Sequence, residues 1–226
     1  LSSQYTLTRV LDNGIAEANI SFSTTGGALR SLYATGTNTN QAEQVVLLRD
    51  DYSLAVGQML TVDVSMLTGN TNTYDFGIIV ANTKTPTAAT VGNTDTRKTM
   101  QFAVSMIRPG DNSVRSFYYD GSLPTSLGSN DAVLTVDEAN VSKLWIKRNT
   151  SSSISMGYTN NLGLDFTSRT VTTFGSGVGT AIGFYTDLRT NGATLGPFDN
   201  LTIVPEPSSA ALAGLAALAL ASRRRR

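Results

Sequence analysis

Alternating polarity runs through most of this chain. In Met59–Leu67 (MLTVDVSML), Leu60, Val62, Val64 and Met66 fall on one side of an extended backbone, with Thr61, Asp63 and Ser65 on the other. Met100–Arg108 places Met100, Phe102, Val104 and Met106 together, and Ala16–Ser23 sets Ala18, Ile20 and Phe22 against Glu17, Asn19 and Ser21. Neighbouring side chains of a strand point to opposite faces, so a period of two marks half-buried β-strands. The same reading predicts strands over 143–148, 154–158, 181–188 and 199–204. Further candidates are 5–10, 29–33, 44–49, 75–81, 114–119 and 168–173. Turn-forming pairs and triplets separate them: Asp12-Asn13-Gly14, Gly26-Gly27, Gly69-Asn70, Pro109-Gly110, Asp120-Gly121 and Asn191-Gly192. About a dozen short strands at this spacing predict an all-β, antiparallel sandwich or barrel. Residues 1–200 hold no sustained helical period. Asp137–Asn140 is compatible with one helical turn, and Thr83–Thr99 reads as an exposed connection.

Composition narrows the chemistry. The 226 residues include no His and no Cys. Imidazole acid/base catalysis, thiolate nucleophiles, disulfides, Cys/His zinc sites and His-ligated haem are therefore excluded. Charged residues make up 15% of the chain, against about 25% in ordinary soluble proteins. Ser and Thr together number 54 and Asn 16, a polar but uncharged surface that suits exported β-proteins. The 17 basic and 17 acidic residues balance only because four arginines close the chain. The remainder carries a net −4, which argues against a nucleic-acid partner. The sequence opens on Leu1 without a basic and then apolar leader, as a fragment or a processed form would.

The character of the chain changes after Val204. Pro205-Glu206-Pro207 is expected to stop a strand, because proline lacks the N–H donor and fixes φ. Ser208 and Ser209 can cap a helix. Ala210–Ala221 is an unbroken run of Ala, Leu and Gly, followed by Ser222 and Arg223, Arg224, Arg225 and Arg226. A helix over 208–222 spans roughly 22 Å, short of the about 30 Å of a bilayer core. Snorkelling arginines extend its reach, and they belong on the cytoplasmic side. That orientation puts residues 1–204 outside.

This order of parts resembles the PEP-CTERM sorting signal of Gram-negative bacteria. The resemblance implies that Val204, Pro205, Glu206 and Pro207 form a motif read by an exosortase-type membrane processing enzyme. It implies that the short hydrophobic helix is a temporary transmembrane anchor, and that Arg223–Arg226 are its cytoplasmic stop. Proteins with this signal go with exopolysaccharide and biofilm. The expected location is thus an inner-membrane-anchored precursor, then the cell surface or extracellular matrix. Two domains follow: a β-sandwich over 1–204 and the sorting signal over 205–226.

Two stretches of the body carry a second resemblance. Lys143–Tyr158 reads as strand, polar turn, strand. Ala181–Val204 reads as a strand, a polar loop, and Phe198-Asp199-Asn200-Leu201 opening a final strand. These are similar to the closing strands of concanavalin A-like, laminin-G-type jelly rolls, and imply that fold for residues 1–204.

Candidate site residues are few. Glucanases of this fold carry Glu-x-Asp-x-x-Glu on one strand, so that one carboxylate attacks while another protonates. The four glutamates, Glu17, Glu43, Glu138 and Glu206, make no such pattern. Asp50-Asp51 and Asp137-Glu138 are adjacent, which suits turns. No catalytic residues are assigned and the chain is read as a non-enzyme. No cofactor is called for, although calcium is conceivable: Asp187 with Asn191, or Asp199 with Asn200, can supply oxygen ligands, and the same residues equally suit turns. Asp199 is expected to stabilise the entry to the last strand. Trp145, the sole Trp, lies opposite Leu144 and Ile146 and is expected to pack in the core. Tyr118 and Tyr119, beside a turn, are the better exposed candidates for stacking on a sugar ring. The expectation is an exported, non-enzymatic carbohydrate-binding or structural module. The alternatives are a glycan-active enzyme on the same fold and an envelope protein without ligand.

Overall fold

A computed structural model describes residues 5–11, 20–25, 28–33, 43–64, 75–84, 101–108, 111–119, 132–172, 174, 179–188 and 194–205. Fourteen strands lie among them. They are β1 (Thr6–Leu11), β2 (Ile20–Thr25), β3 (Ala28–Tyr33), β4 (Glu43–Arg49), β5 (Gln58–Val64), β6 (Asp75–Ala81) and β7 (Phe102–Arg108). The chain continues with β8 (Ser113–Tyr119), β9 (Ala132–Thr135), β10 (Val141–Arg148), β11 (Ile154–Asn160), β12 (Asp165–Val171), β13 (Ala181–Leu188) and β14 (Thr194–Pro205). One 3-10 turn, Glu138–Asn140, precedes β10 and matches the expected helical turn.

The strands form two seven-stranded antiparallel sheets. The first runs β1-β4-β13-β6-β7-β8-β9, and the second β12-β11-β10-β5-β14-β3-β2. Strands distant in sequence pair at both centres, with β13 between β4 and β6 and β14 between β3 and β5. β10, β11 and β12 pack across onto β6, β7, β8 and β9, so the two sheets form a sandwich.

Alternation decides what enters the space between the sheets. Leu60, Val62 and Val64 of β5, Leu144 and Ile146 of β10, and Ile154 and Met156 of β11 meet Phe76, Ile78 and Val80 of β6 and Ala103 and Ile107 of β7 in one buried cluster. Each fully buried aliphatic side chain contributes about 1.5–3 kcal/mol. Phe198 of β14 closes this core edge-on to Phe76, with ring centroids 5.1 Å apart.

The first sheet is apolar on its other face as well. Phe102, Val104 and Met106 join Val46, Leu48, Ile79, Phe117 and Tyr185 in a second buried cluster. The Phe102–Val104–Met106 stripe is therefore buried as its pattern implies, but it turns away from the second sheet. Ala103 and Ile107 take the place between the sheets. Strands buried on both faces read as near-continuous apolar runs, as in Asp75–Ala81, which is buried throughout.

Two boundaries differ from expectation. β14 begins at Thr194, so Asp199 stands inside the strand and not at its entry. The β5 register slips between Asp199 and Thr202, a bulge that Asn200 accommodates with φ 51°. The strand also includes Pro205, which pairs with Gln58 of β5. A proline is tolerated at a strand end, where no further ladder donor is required of it.

Candidate functional site

Because Leu144 and Ile146 point inward, Trp145 stands on the outer face of the second sheet. Its neighbours in register are Thr61 of β5 and Gly157 of β11. Trp145 is nevertheless only 4% exposed. The indole is thus packed, but on the outer face of the sheet and not in the core clusters where it was expected. Gly157 makes the room: a Cβ there would stand 2.5 Å from the indole Cζ2. The indole Nε1 is buried and has no hydrogen-bond partner. A buried donor left unpaired costs about 1–3 kcal/mol.

Trp145 lines a cavity of about 400 Å³, within the usual range for small-ligand sites. Met59, Val204 and Pro205 form its apolar wall, and Lys147, Ser155, Asp165 and Thr167 supply polar groups. Neighbours hold several of these in place. Ser155 Oγ accepts a hydrogen bond from Asn149 Nδ2 at 2.8 Å and shares one with Thr170 Oγ1 at 2.8 Å. Thr159 Oγ1 donates to Asp165 Oδ1 at 2.6 Å. Among the described residues, the cavity thus offers hydroxyls, one cation and one carboxylate against an apolar wall.

A polar cluster follows along the same face. Lys143 Nζ donates to Asp63 Oδ1, and Asn200 Nδ2 donates to Asp63 Oδ2 at 2.8 Å. Partial burial pushes the Asp63 carboxyl up, but the hydrogen bonds from Lys143 and Asn200 outweigh it and hold the group below the usual carboxylate range. Thr61 and Thr202 share a hydrogen bond at 2.9 Å.

The sequence-derived candidates are dispersed. Tyr118 and Tyr119 are neighbours on β8 and point to opposite faces. Tyr118 packs against the core between the sheets, 5.8 Å from the Phe174 ring, with the Arg169 guanidinium 4.8 Å from its centroid. Tyr119 stacks on Phe102 in the other cluster. The two do not make one platform. Asp187 stands on β13 opposite Asp75, and Asn191 lies outside the described residues. Asp199 Oδ1 accepts from the Asn200 backbone N–H at 2.8 Å, while the Asn200 side chain turns to Asp63. Among the described residues, no three acidic side chains gather. Asp50 is paired with Lys84, and Asp51 with Arg49. The hydrogen bond from Arg49 holds the exposed Asp51 carboxyl low. Asp137 caps its turn, accepting from the Ala139 N–H and from Asn140 Nδ2. These carboxylates are turn and pairing groups.

The cavity itself escaped the sequence reading. The signal for it was present: Trp145 at an outward position of its strand, with a glycine on the next strand.

Val204 and Pro205 link this cavity to the end of the chain. A family model described as the PEP-CTERM protein-sorting motif matches residues 204–226, so its first two residues are the last two of β14. No curated protein gives a significant match to the sequence. A crystal structure of a protein of unknown function from Shewanella oneidensis MR-1 is similar at 15% identity. It matches over 88% of this chain and 85% of that one, with a TM-score of 0.44. No helix among the described residues is long and apolar enough to cross a membrane, and the helix expected over 208–222 lies outside them. Residues 204–226 carry a PEP-CTERM sorting motif, which implies an exported, exosortase-sorted protein with a C-terminally membrane-anchored precursor.

Proposed function

We propose that this chain is a non-enzymatic, carbohydrate-binding module of the bacterial surface or matrix, built on a concanavalin A-like jelly roll. The observation that carries this reading is the Trp145 cavity. Ser155, Thr167, Asp165 and Lys147, lining one cavity with the indole, suit a ligand rich in hydroxyls. Sugars present such oxygens along with apolar C–H faces, which Met59 and Val204 can meet. The sorting motif supports the destination, since proteins bearing it go with exopolysaccharide and biofilm. Among the described residues, the cavity lining holds one carboxylate, Asp165. Glycoside hydrolysis generally uses two, about 5–10 Å apart, so the lining favours binding over cleavage. Calcium has no role in this reading.

The test is retention of the protein on bacterial and algal polysaccharides, with calcium and with a chelator, while reducing ends are followed. Retention without release of sugar, quenched or shifted Trp145 emission, and indifference to the chelator are expected. Release of reducing ends would establish the enzymatic alternative. Absence of any interaction would leave a structural envelope protein.

A further inference from the structure

Strand pairing fixes which end of the sandwich the sorting motif leaves from. Pro205 pairs with Gln58, Gln58 with Arg148, Arg148 with Ile154, and Ile154 with Val171. The loop between β4 and β5, residues 50–57, enters β5 at this same end. Only four residues, Glu206 to Ser209, separate Pro205 from the apolar run Ala210–Ala221. Fully extended, four residues reach about 14 Å. In the anchored precursor the Pro205 end of the sandwich is therefore tethered within about that distance of the bilayer.

That end carries two large exposed side chains on a firmly held loop. Tyr52 is 56% exposed and Val56 53%. Between them Leu54 is fully buried; its N–H donates to the Gly179 carbonyl at 2.7 Å, and its own carbonyl accepts from Arg148 Nη1 at 2.9 Å. Gln58 Oε1 accepts from the Ala55 N–H, and the Gly57 N–H donates to the Arg148 carbonyl. The Arg49 guanidinium, paired with Asp51, lies 4.6 Å from the Tyr52 ring centroid and braces it. A projecting tyrosine and a projecting aliphatic residue suit the headgroup layer of a membrane, where an aromatic ring places an apolar body and a polar tip.

We propose that loop 50–57 is a second membrane contact: Tyr52 and Val56 rest on the phospholipid surface while the C-terminal segment holds the precursor, so the sandwich is oriented and not merely tethered. This rests on the reading of the chain as a membrane-anchored precursor. The hairpin between β11 and β12 supplies the internal control. Its tip residue Leu162 is 83% exposed, but it lies at the far end of the seven-residue β11, about 23 Å away. In the proposed orientation Leu162 points away from the lipid.

The chain has no cysteine, so each single-cysteine variant takes one label. Full-length Tyr52→Cys, Val56→Cys and Leu162→Cys variants, labelled with a polarity-sensitive fluorophore, are reconstituted into phosphatidylethanolamine–phosphatidylglycerol vesicles with and without brominated lipid. Blue-shifted emission and bromine quenching at positions 52 and 56, with a water-like, unquenched label at 162, are expected. Trp145 emission matching the parent chain shows that each variant is folded. Vesicle-bound protein with water-like labels at 52 and 56, or with equal quenching at 162, would overturn the proposed contact alone. Failure of the parent chain to float with vesicles would overturn the anchoring reading, and this inference with it.

Discussion

The Trp145 indole lies directly over Gly157 of the neighbouring strand, so closely that a methyl group at 157 would stand 2.5 Å from Cζ2. The same methyl would press on the Phe166 carbonyl oxygen. The glycine is thus what lets the sheet's outer face bury a tryptophan and keep a cavity beside it. Gly157→Ala is expected to displace the indole and lower stability by about 1–3 kcal/mol, the usual range for overpacking. The check is direct, because Trp145 is the only tryptophan. Its emission should move to longer wavelength and become accessible to acrylamide, with an accompanying fall in Tm. Unchanged emission would show that the indole is not seated on Gly157.

Trp145→Phe separates packing from hydrogen bonding. Phenylalanine keeps most of the apolar ring and removes the unpaired Nε1 donor. Stability is expected to stay within about 1 kcal/mol of the parent, since a buried polar group without a partner is lost along with some packing. Polysaccharide affinity is expected to fall by up to about tenfold, because the smaller ring withdraws apolar contact from the cavity wall. An undiminished affinity in a titration of this variant would mean that the indole takes no part in binding.

Arg108 and Asp75 form a two-pronged pair between β7 and β6, with Arg108 Nε donating to Asp75 Oδ1 at 2.6 Å and Nη2 to Oδ2. Asp75 is buried, and Arg108 also approaches Asp111, which Arg115 holds in turn. Removing one member of a buried pair strands the other charge at about 3–5 kcal/mol. Arg108→Ala should approach that loss in denaturant titration at neutral pH. Arg108→Met combined with Asp75→Leu should recover much of it, because no isolated charge remains. A loss below about 1 kcal/mol for Arg108→Ala would show that water reaches the pair.

Asp63 predicts a pH dependence. Its folded carboxyl is held low by Lys143 and Asn200, so its contribution is present above the unfolded value of about 4 and is lost as pH falls through the folded value. The Lys143 and Asp63 side chains are each more than a third open to solvent, which limits the effect to about 1 kcal/mol. Asp63→Asn should therefore lower Tm modestly at pH 7, and the gap to the parent should close below about pH 4. A gap that widened on acidification would place the titrating group elsewhere.

Much of the sandwich was legible because its strands alternate. β6 and β13 fall on the expected residues, and eleven other strands overlap their candidates. β9 was missed: Ala132–Thr135 has four residues and packs at the sheet edge, too short for a period to register. The stripe Phe102–Val104–Met106 was recognised as apolar, but alternation does not say which buried face looks at the partner sheet. The candidate site was less legible. Tyr118 and Tyr119 looked like a pair because they are adjacent, and adjacency within a strand is what separates them. Asp199 and Asn200 looked like a strand entry, whereas the bulge carries their strand five residues further back.

The C-terminal motif needed no fold to be read, because an enzyme that recognises Pro-Glu-Pro and an apolar run reads local sequence. The strand order, the bulge at Asn200 and the setting of Trp145 depended on tertiary structure. A local pattern gives each side chain a face but no neighbour, and the cavity exists only because β5, β11, β12 and β14 bring Met59, Ser155, Asp165, Thr167, Val204 and Pro205 around one residue of β10. The same pairing sets the start of the sorting motif inside the last strand, beside Gln58, with loop 50–57 at the same end of the sheet.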